Sequence, residues 1–548
     1  MLTRLIINAL LILWVLLVPI TGPALAQNSD QDPQGIPPEE QVEPSDLGEE
    51  RVAPETAPVI SAPALFATKE EIEKLTAELE TAKSAVLAAE KASATAQESA
   101  DTTFMLICAA LVLLMTPGLA FFYCGFVRSR NVLNTMMMSF VLMALVGVTW
   151  VLWGYSLSFA PGLPIIGGLK WLFFNGVSHA QTAGYLPPMA YETALKASNP
   201  EYSELTSYAP TVPHQVYAIY QAMFAIITPA LISGAIVERI KFRAYCLFIL
   251  LWSSIVYYPL AHMVWGKGGL LGLYGGIGAL DFAGGTVVHI ASGISALVAA
   301  LVIKPRKTYP HQLSVPHNVP FILLGAGLLW FGWFGFNAGS ALASGSIATA
   351  AFVNTNTSAA GAALMWVILE WVLRNKPTAV GIATGAVAGL VGITPAAGFV
   401  TPLSALFIGL ITSFCCFFAI SIKTKLQIDD SLDTYPVHGV GGTIGAILTG
   451  VFATKMVNPY GANGLLFGDS GQLFQGSDPA QVFRQLIAIV VTYVFAGVVT
   501  YVLLKVIEAT IGLRIKPTLE VQGMDINEHG EEGYGQEFIS GISSMSGE

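Results

Sequence analysis

About eleven apolar runs, most of them close to twenty residues long, recur between Phe104 and Gly512 and constrain this chain more than any single motif. They lie near 104–126, 132–159, 214–237, 244–264, 283–303, 319–337, 348–373, 378–396, 399–422, 434–454 and 483–512. Inside a bilayer the backbone finds no water to bond, so a spanning segment must satisfy its own N–H and C=O groups. Continuous apolar runs of this length do so as helices. The composition agrees: 54% of the 548 residues are hydrophobic and 11% charged, with a mean hydropathy of +0.63. The expected fold class is therefore an all-α membrane protein with about eleven transmembrane helices. Gly381, Gly385, Gly389 and Gly392 show the small-residue spacing that lets membrane helices approach closely. The five cysteines fall in apolar runs without metal-ligand spacing and read as packing residues, and nothing resembles a nucleic-acid face.

Charge between the runs sets the orientation. Arg128 and Arg130; Arg239, Lys241 and Arg243; Lys304, Arg306 and Lys307; Arg374 and Lys376; Lys423 and Lys425; and Arg514 and Lys516 occupy alternate connections. The intervening ones carry only Lys170, Lys196, Lys267 and Lys455, with Arg484 at the edge of the last run. The positive-inside rule then places the N-terminus outside and the C-terminus in the cytoplasm of a cell inner (plasma) membrane. The first 26 residues independently read as a secretory signal peptide ending at a small-residue site, with an uncleaved anchor as the alternative. Residues 27–67 are acidic, Pro-rich and poor in aromatics, and are expected to be disordered. Residues 68–100 are strong helix formers with Ile72, Leu79 and Val86 seven apart, which fits either a solvated polar helix or a short extracytoplasmic coiled coil.

Two histidines stand well inside these runs, while the others lie in loops, tails or, like His262, near a span end. From Phe282 to Ile303 every residue is apolar, Gly, Ser or Thr except His289, and the run from Tyr435 to Val451 carries His438. An ionisable group at membrane depth is costly and usually faces an interior or a water-filled path. Eleven spans divide into two groups of five plus a final helix, and His289 and His438 then fall in the fifth span of each group. Matched polar interruptions in two halves are the sequence sign of inverted repeats around a central transport site. Structural histidines bonded to backbone carbonyls are the bland alternative.

The motifs around these histidines carry a resemblance. AHMVWG from Ala261, DFAGGTVVHI from Asp281, GWFGFNAGS from Gly332, AFVNT from Ala351 and VHGV from Val437 occur together and in order. From about Asp101 to Tyr534 the chain resembles the ammonium transporter family, the Amt, Mep and Rh superfamily, in its bacterial Amt form. The resemblance implies a transporter domain over residues 101–513, not an enzyme, with no cofactor and no metal, forming a homotrimer with a pore in each subunit. Trp265, Ser340 and Phe224 match a substrate-recruitment site, with Asp281 buried behind it. Phe224 and Phe336 match a gate, and His289 with His438 a pore proton relay. Tyr220 supports the recruitment site, one helical turn before Phe224. From its position, Asp281 is also expected to cap the start of its helix, and Asp433, five residues before His438, to play the same capping part. The tail, residues 514–548, keeps GLRI and GMDINEHGEEGY and resembles the segment through which PII-type nitrogen-regulatory proteins dock; by composition alone it reads as a disordered acidic end.

The resemblance predicts uptake of ammonium, and possible carriage of methylammonium is left open. Ammonium would lose its proton at the outer site and ammonia would cross a hydrophobic pore, with or without separate proton transfer along the histidines. An ammonium sensor or transceptor and an Rh-like neutral-gas channel are the alternatives. A membrane enzyme holding haem on histidines lacks the ligand count and spacing it would need.

Overall fold

The computed structural model describes residues 68–179, 208, 211–273, 275–310 and 315–534. The expected signal peptide, the acidic segment 27–67 and the last part of the tail lie outside these residues. Among the described residues all regular structure is helical, with only isolated β-bridges. In chain order the helices are α1 Lys69–Phe126, α2 Ser129–Phe159, α3 His214–Ile236, α4 Phe242–Trp265, α5 Gly285–Ile303, α6 Val319–Ala341, α7 Ser346–Arg374, α8 Ala379–Ile393 and α9 Pro402–Lys425. Then come α10, formed by Tyr435–Val440 and Gly441–Phe452, α11 Ala480–Thr510 and the short α12 Pro517–Gln522.

Nine of these are long and apolar enough to cross a membrane. Two depart from the expected pattern of about eleven long spans: α8 has only 15 residues, and α10 opens with a wide, π-type turn before its regular part. After α8 the chain runs from Thr394 to Val400 as turns and a bend, buried throughout. Non-helical backbone at such depth is stable only where protein covers it. Here Asn354 of α7 does so, donating to Ala397 O at 2.8 Å and Val400 O at 2.7 Å.

The chain divides into two compact units after Leu79. In the first, Thr68 and Glu71 cap the start of α1 reciprocally: Glu71 accepts from the Thr68 N–H at 2.8 Å, and Thr68 Oγ1 accepts from the Glu71 N–H at 3.3 Å. Ile72, Leu75 and Leu79 are exposed there. In the second unit Val86 and Leu87 are exposed, and burial begins at Asp101.

Close packing in the second unit rests on small residues. A Cβ at Gly389 of α8 would lie 2.4 Å from the Ala362 Cβ of α7, so these backbones meet as the glycine spacing anticipates. The five cysteines are all free and at least half-buried, consistent with packing.

The basic ends of the helices are fastened by buried ion pairs. Glu238, in the turn after α3, accepts from Arg128 Nε at 2.9 Å, Arg306 Nη1 at 2.7 Å and Asn131 Nδ2 at 2.6 Å. Arg306 also reaches Asp429 at 2.7 Å. Beyond α11 the tail closes over the same face: Glu520 accepts from Arg514 Nη2 at 2.7 Å and the Lys307 N–H at 2.8 Å. Asp525 accepts the Leu133 and Asn134 N–H groups at 3.1 and 2.8 Å, capping α2 from a distant part of the chain. The tail through Tyr534 is thus an ordered strap, where composition alone favoured a disordered end.

Burial by itself would raise the Glu238 carboxyl, but Arg306 and Arg128 outweigh it and hold it down at about 2. A carboxyl depressed from its usual 4.5 contributes stability that is complete above that value and disappears as pH falls through 4.5 toward 2, about 3 kcal/mol in all. Glu238→Gln is expected to lower the thermal unfolding temperature of the purified protein at pH 7 and to flatten its decline between pH 5 and 3. An unchanged unfolding temperature and an unchanged acid slope would show that this carboxylate does not fasten the helix ends.

Candidate functional site

A cavity of about 430 Å³ gathers Trp265, Phe224, Asp281 and Ser340 from four parts of the chain. Trp265 is the last residue of α4, and its indole N–H donates to Asp281 O at 2.9 Å, which fixes the ring. The Asp281 carboxylate is 8% exposed and accepts the N–H groups of Gly284 at 2.7 Å, Gly285 at 2.6 Å, Thr286 at 2.8 Å and Val287 at 3.3 Å, with the Thr286 hydroxyl at 2.5 Å. It therefore makes the capping contacts its position anticipates, at the orphan donors and positive end of α5. Gly284 permits this, because its φ of 116° is left-handed. Ser340 lies in the last turn of α6 and donates to Phe336 O at 2.9 Å, leaving its oxygen able to accept. The buried Tyr220 hydroxyl donates to Phe336 O at 2.7 Å and lies 3.2 Å from Ser340 Oγ, so it ties the serine to the ring below.

Under this cavity two phenylalanines close the way. Phe224 and Phe336 are each 1% exposed, with ring centroids 4.2 Å apart and planes tilted by 33°. Phe224 meets Trp265 edge-on at 6.1 Å above. Phe336 lies nearly parallel to His289 at 6.2 Å below. His289 also stacks on Trp333 at 5.5 Å. Its Nδ1 is 3.2 Å from His438 Nδ1, a bond in which one nitrogen donates and the other accepts. His289 Nε2 is buried with no protein partner. Both imidazoles line a cavity of about 20 Å³ with Phe336, Trp333, Leu329 and Ile227, and a second of about 20 Å³ continues past His438 to Phe126, Leu432 and Asp433. Each has room for about one molecule of water's size.

Glycines explain how two helices bring two rings this close. A Cβ at Gly293 would lie 2.2 Å from Gly439 N and 2.4 Å from its Cα, so α5 and α10 touch backbone to backbone beside the histidines. Each histidine also stands in a wide turn, Gly285–Ile290 or Tyr435–Val440, of the kind common at functional sites. Pro436, near the start of the second turn, is well placed, since an N–H there would have no helical partner.

One expectation is corrected. Asp433 does not cap α10; its carboxylate pairs with Lys423 Nζ at 2.5 Å, and its φ is 57°. The cap is Asp430, 1% exposed, which accepts the Thr434 N–H at 3.0 Å and the Tyr435 N–H at 2.7 Å. The spacing held the clue: Asp430 precedes His438 by eight residues, as Asp281 precedes His289. Trp333 and the pair Gly293 and Gly439 are the other site residues that sequence reasoning passed over. Among the described residues no cluster of His, Cys, Asp and Glu could hold a metal.

Asp430→Ala would strand two buried N–H groups at about 1–3 kcal/mol each. It is expected to lower the thermal unfolding temperature by more than Asp433→Ala, whose partner Lys423 also donates to Asp430 O at 2.7 Å. The reverse order of unfolding temperatures would reassign the cap.

Comparison with known proteins completes the site. The sequence profile of the Ammonium Transporter Family matches residues 103–534. An ammonium transporter of Bacillus subtilis is 47% identical over 435 residues, 79% of this chain and 98% of that protein. The ammonium transporter Amt1 of Archaeoglobus fulgidus is 40% identical over 435 residues, 79% and 99% of the two chains. The crystal structure of Saccharomyces cerevisiae Mep2 superposes with a TM-score of 0.64 at 34% identity, covering 76% of this chain and 90% of that one. A structure named Sensor Amt Protein gives 0.65 at 28%, covering 79% and 99%. With about four-fifths of its length matched and the aromatic and histidine stack in place, the chain belongs to the Ammonium Transporter Family, a family of transporters and not of enzymes.

Proposed function

We propose that this protein takes ammonium from the outside, strips a proton from it at the outer aromatic site, and conducts ammonia through the dry path that His289 and His438 line. The observation that carries this reading is the unbroken column from Trp265 through Phe224 and Phe336 to the two imidazoles, with a cavity of about 20 Å³ that Phe336, His289 and His438 line together. An indole face attracts a cation by about 0.5–2 kcal/mol, more as the site is desolvated. The Ser340 oxygen can accept an N–H, and the Asp281 carboxylate adds negative potential behind the ring. Below the gate no carboxylate lines the first cavity, so a cation loses its water without replacement ligands, at several kcal/mol or more. Ammonium escapes that penalty by crossing as the neutral base, which a metal cation cannot do. The proton either returns outside or passes along the histidines, whose shared bond supports a relay.

The wider reading is an eleven-span protein of two inverted five-helix repeats and a final helix, with its N-terminus outside and C-terminus inside. It works as a homotrimer in the lipid of the inner membrane, and a short coiled coil of the helix near residues 68–100 is one support for assembly. A PII-type protein is the partner proposed for the tail strap in nitrogen metabolism. The likeness to Sensor Amt Protein favours a sensor or transceptor as the second reading, and an Rh-like neutral-gas channel is a variant of the transport reading.

Exchanging either histidine for an acid tests the mechanism. A fixed carboxylate would offer a cation a counter-charge inside the pore, so His289→Glu and His438→Glu are expected to pass potassium and lose ammonium selectivity in reconstituted vesicles. If both variants fold, reach the membrane, and keep unmodified current and selectivity, the pair is structural and the relay is wrong.

A further inference from the structure

The outer cavity has a cation of its own beside it. Lys267 follows the recruitment tryptophan Trp265 by two residues, in the connection leaving α4. Its Nζ lies 5.4 Å from the centroid of the Tyr208 ring. That ring stacks on Tyr217 at 5.0 Å with planes 8° apart, and both tyrosines line the cavity that holds Trp265, Phe224 and Asp281. Tyr208 is fixed: its hydroxyl donates to Phe159 O at 2.8 Å and accepts the Lys267 N–H at 3.1 Å.

We propose that Lys267 is a specificity-determining residue of the recruitment site, a tethered ammonium whose charge and occupancy of an aromatic face oppose the binding of free ammonium. Two independent features carry this. The first is placement: two short ring-to-cation and ring-to-ring steps lead from the Nζ to the cavity wall. The second is the lack of a carboxylate partner. No carboxylate among the described residues forms an ion pair with the partly buried Lys267, so the Tyr208 face is the described group that offsets its charge. Burial pushes the amine down to about 8, so it still carries its charge at neutral pH. Repulsion through low-dielectric rings is poorly screened by salt, and the Tyr208 face is withheld from other cations. Both effects act on recruitment and neither touches the gate or the histidines, so they alter apparent affinity and not the maximal rate.

The inference rests on the proposed recruitment role of the cavity, and the test separates the two. Ammonium uptake into vesicles holding the full chain is measured against concentration at pH 7 for the unmodified protein and for Lys267→Met, Lys267→Gln, Lys267→Arg and Trp265→Leu. Removing the charge is expected to lower the apparent KM by roughly three- to tenfold at unchanged maximal rate, with Lys267→Arg remaining near the unmodified value. Lys267→Gln stands in if Lys267→Met does not reach the membrane. An apparent KM that is unchanged or raised in the uncharged variants, or that falls equally in Lys267→Arg, overturns the proposal. If Trp265→Leu also leaves the KM and selectivity unchanged, the recruitment reading itself fails; if Trp265→Leu shifts them and the uncharged Lys267 variants do not, only the lysine inference is lost.

Discussion

The contact between His289 Nδ1 and His438 Nδ1, 3.2 Å apart in an apolar interior, is the one on which the rest of the structure depends. Two imidazoles meet at that depth only because α5 and α10 touch at Gly293 and Gly439. Each helix is in turn held at its start by a buried aspartate, Asp281 on one side and Asp430 on the other. Each imidazole spends one nitrogen on the shared bond and keeps the other for whatever enters the cavity. Trp333 and Phe336 stack against His289 and hold its ring orientation.

Polar chemistry is thereby pushed to the two ends of an apolar centre. One end has an open aromatic cavity with a carboxylate behind it. The basic end is closed by Glu238, Arg306, Asp429, Arg514 and Glu520, where each buried charge has an opposite partner and the chain beyond α11 is pinned under the helix ends. Buried pairs of this kind contribute little net energy against their desolvation, but removing one partner costs several kcal/mol, so they fix geometry more than they add stability. Asp429 belongs to this network and its neighbour Asp430 caps α10, which makes the tail strap and the His438 turn neighbours through a single loop.

Much of this was legible in the sequence for physical reasons. Long apolar runs report on lipid directly, and a histidine inside such a run is conspicuous because it is costly. Asp281 could be assigned because it stands at the edge of its run with glycines after it. Asp433 was assigned by the same logic and wrongly: three carboxylates, Asp429, Asp430 and Asp433, crowd one loop, and only their backbone geometry decides which faces the helix and which faces Arg306 or Lys423. The shortness of α8 was hidden because the buried turn after it is as apolar as a helix, and periodicity cannot separate the two. The Gly293 and Gly439 contact was hidden because it joins residues far apart in sequence. Trp265, Phe224 and Phe336 were singled out by family resemblance, since aromatic residues in apolar runs are ordinarily packing, whereas the histidines stood out on their own.

The central claim is that the pore conducts by letting its substrate shed a charge, and selectivity of the unmodified protein tests that most directly. Vesicles with and without the protein would be given matched inward gradients of ammonium and of potassium, with uptake of each followed over time. The account predicts protein-dependent uptake of ammonium and potassium uptake no greater than in protein-free vesicles. Sustained potassium flux through the unmodified protein would mean that hydrated cations cross the constriction, and would contradict it.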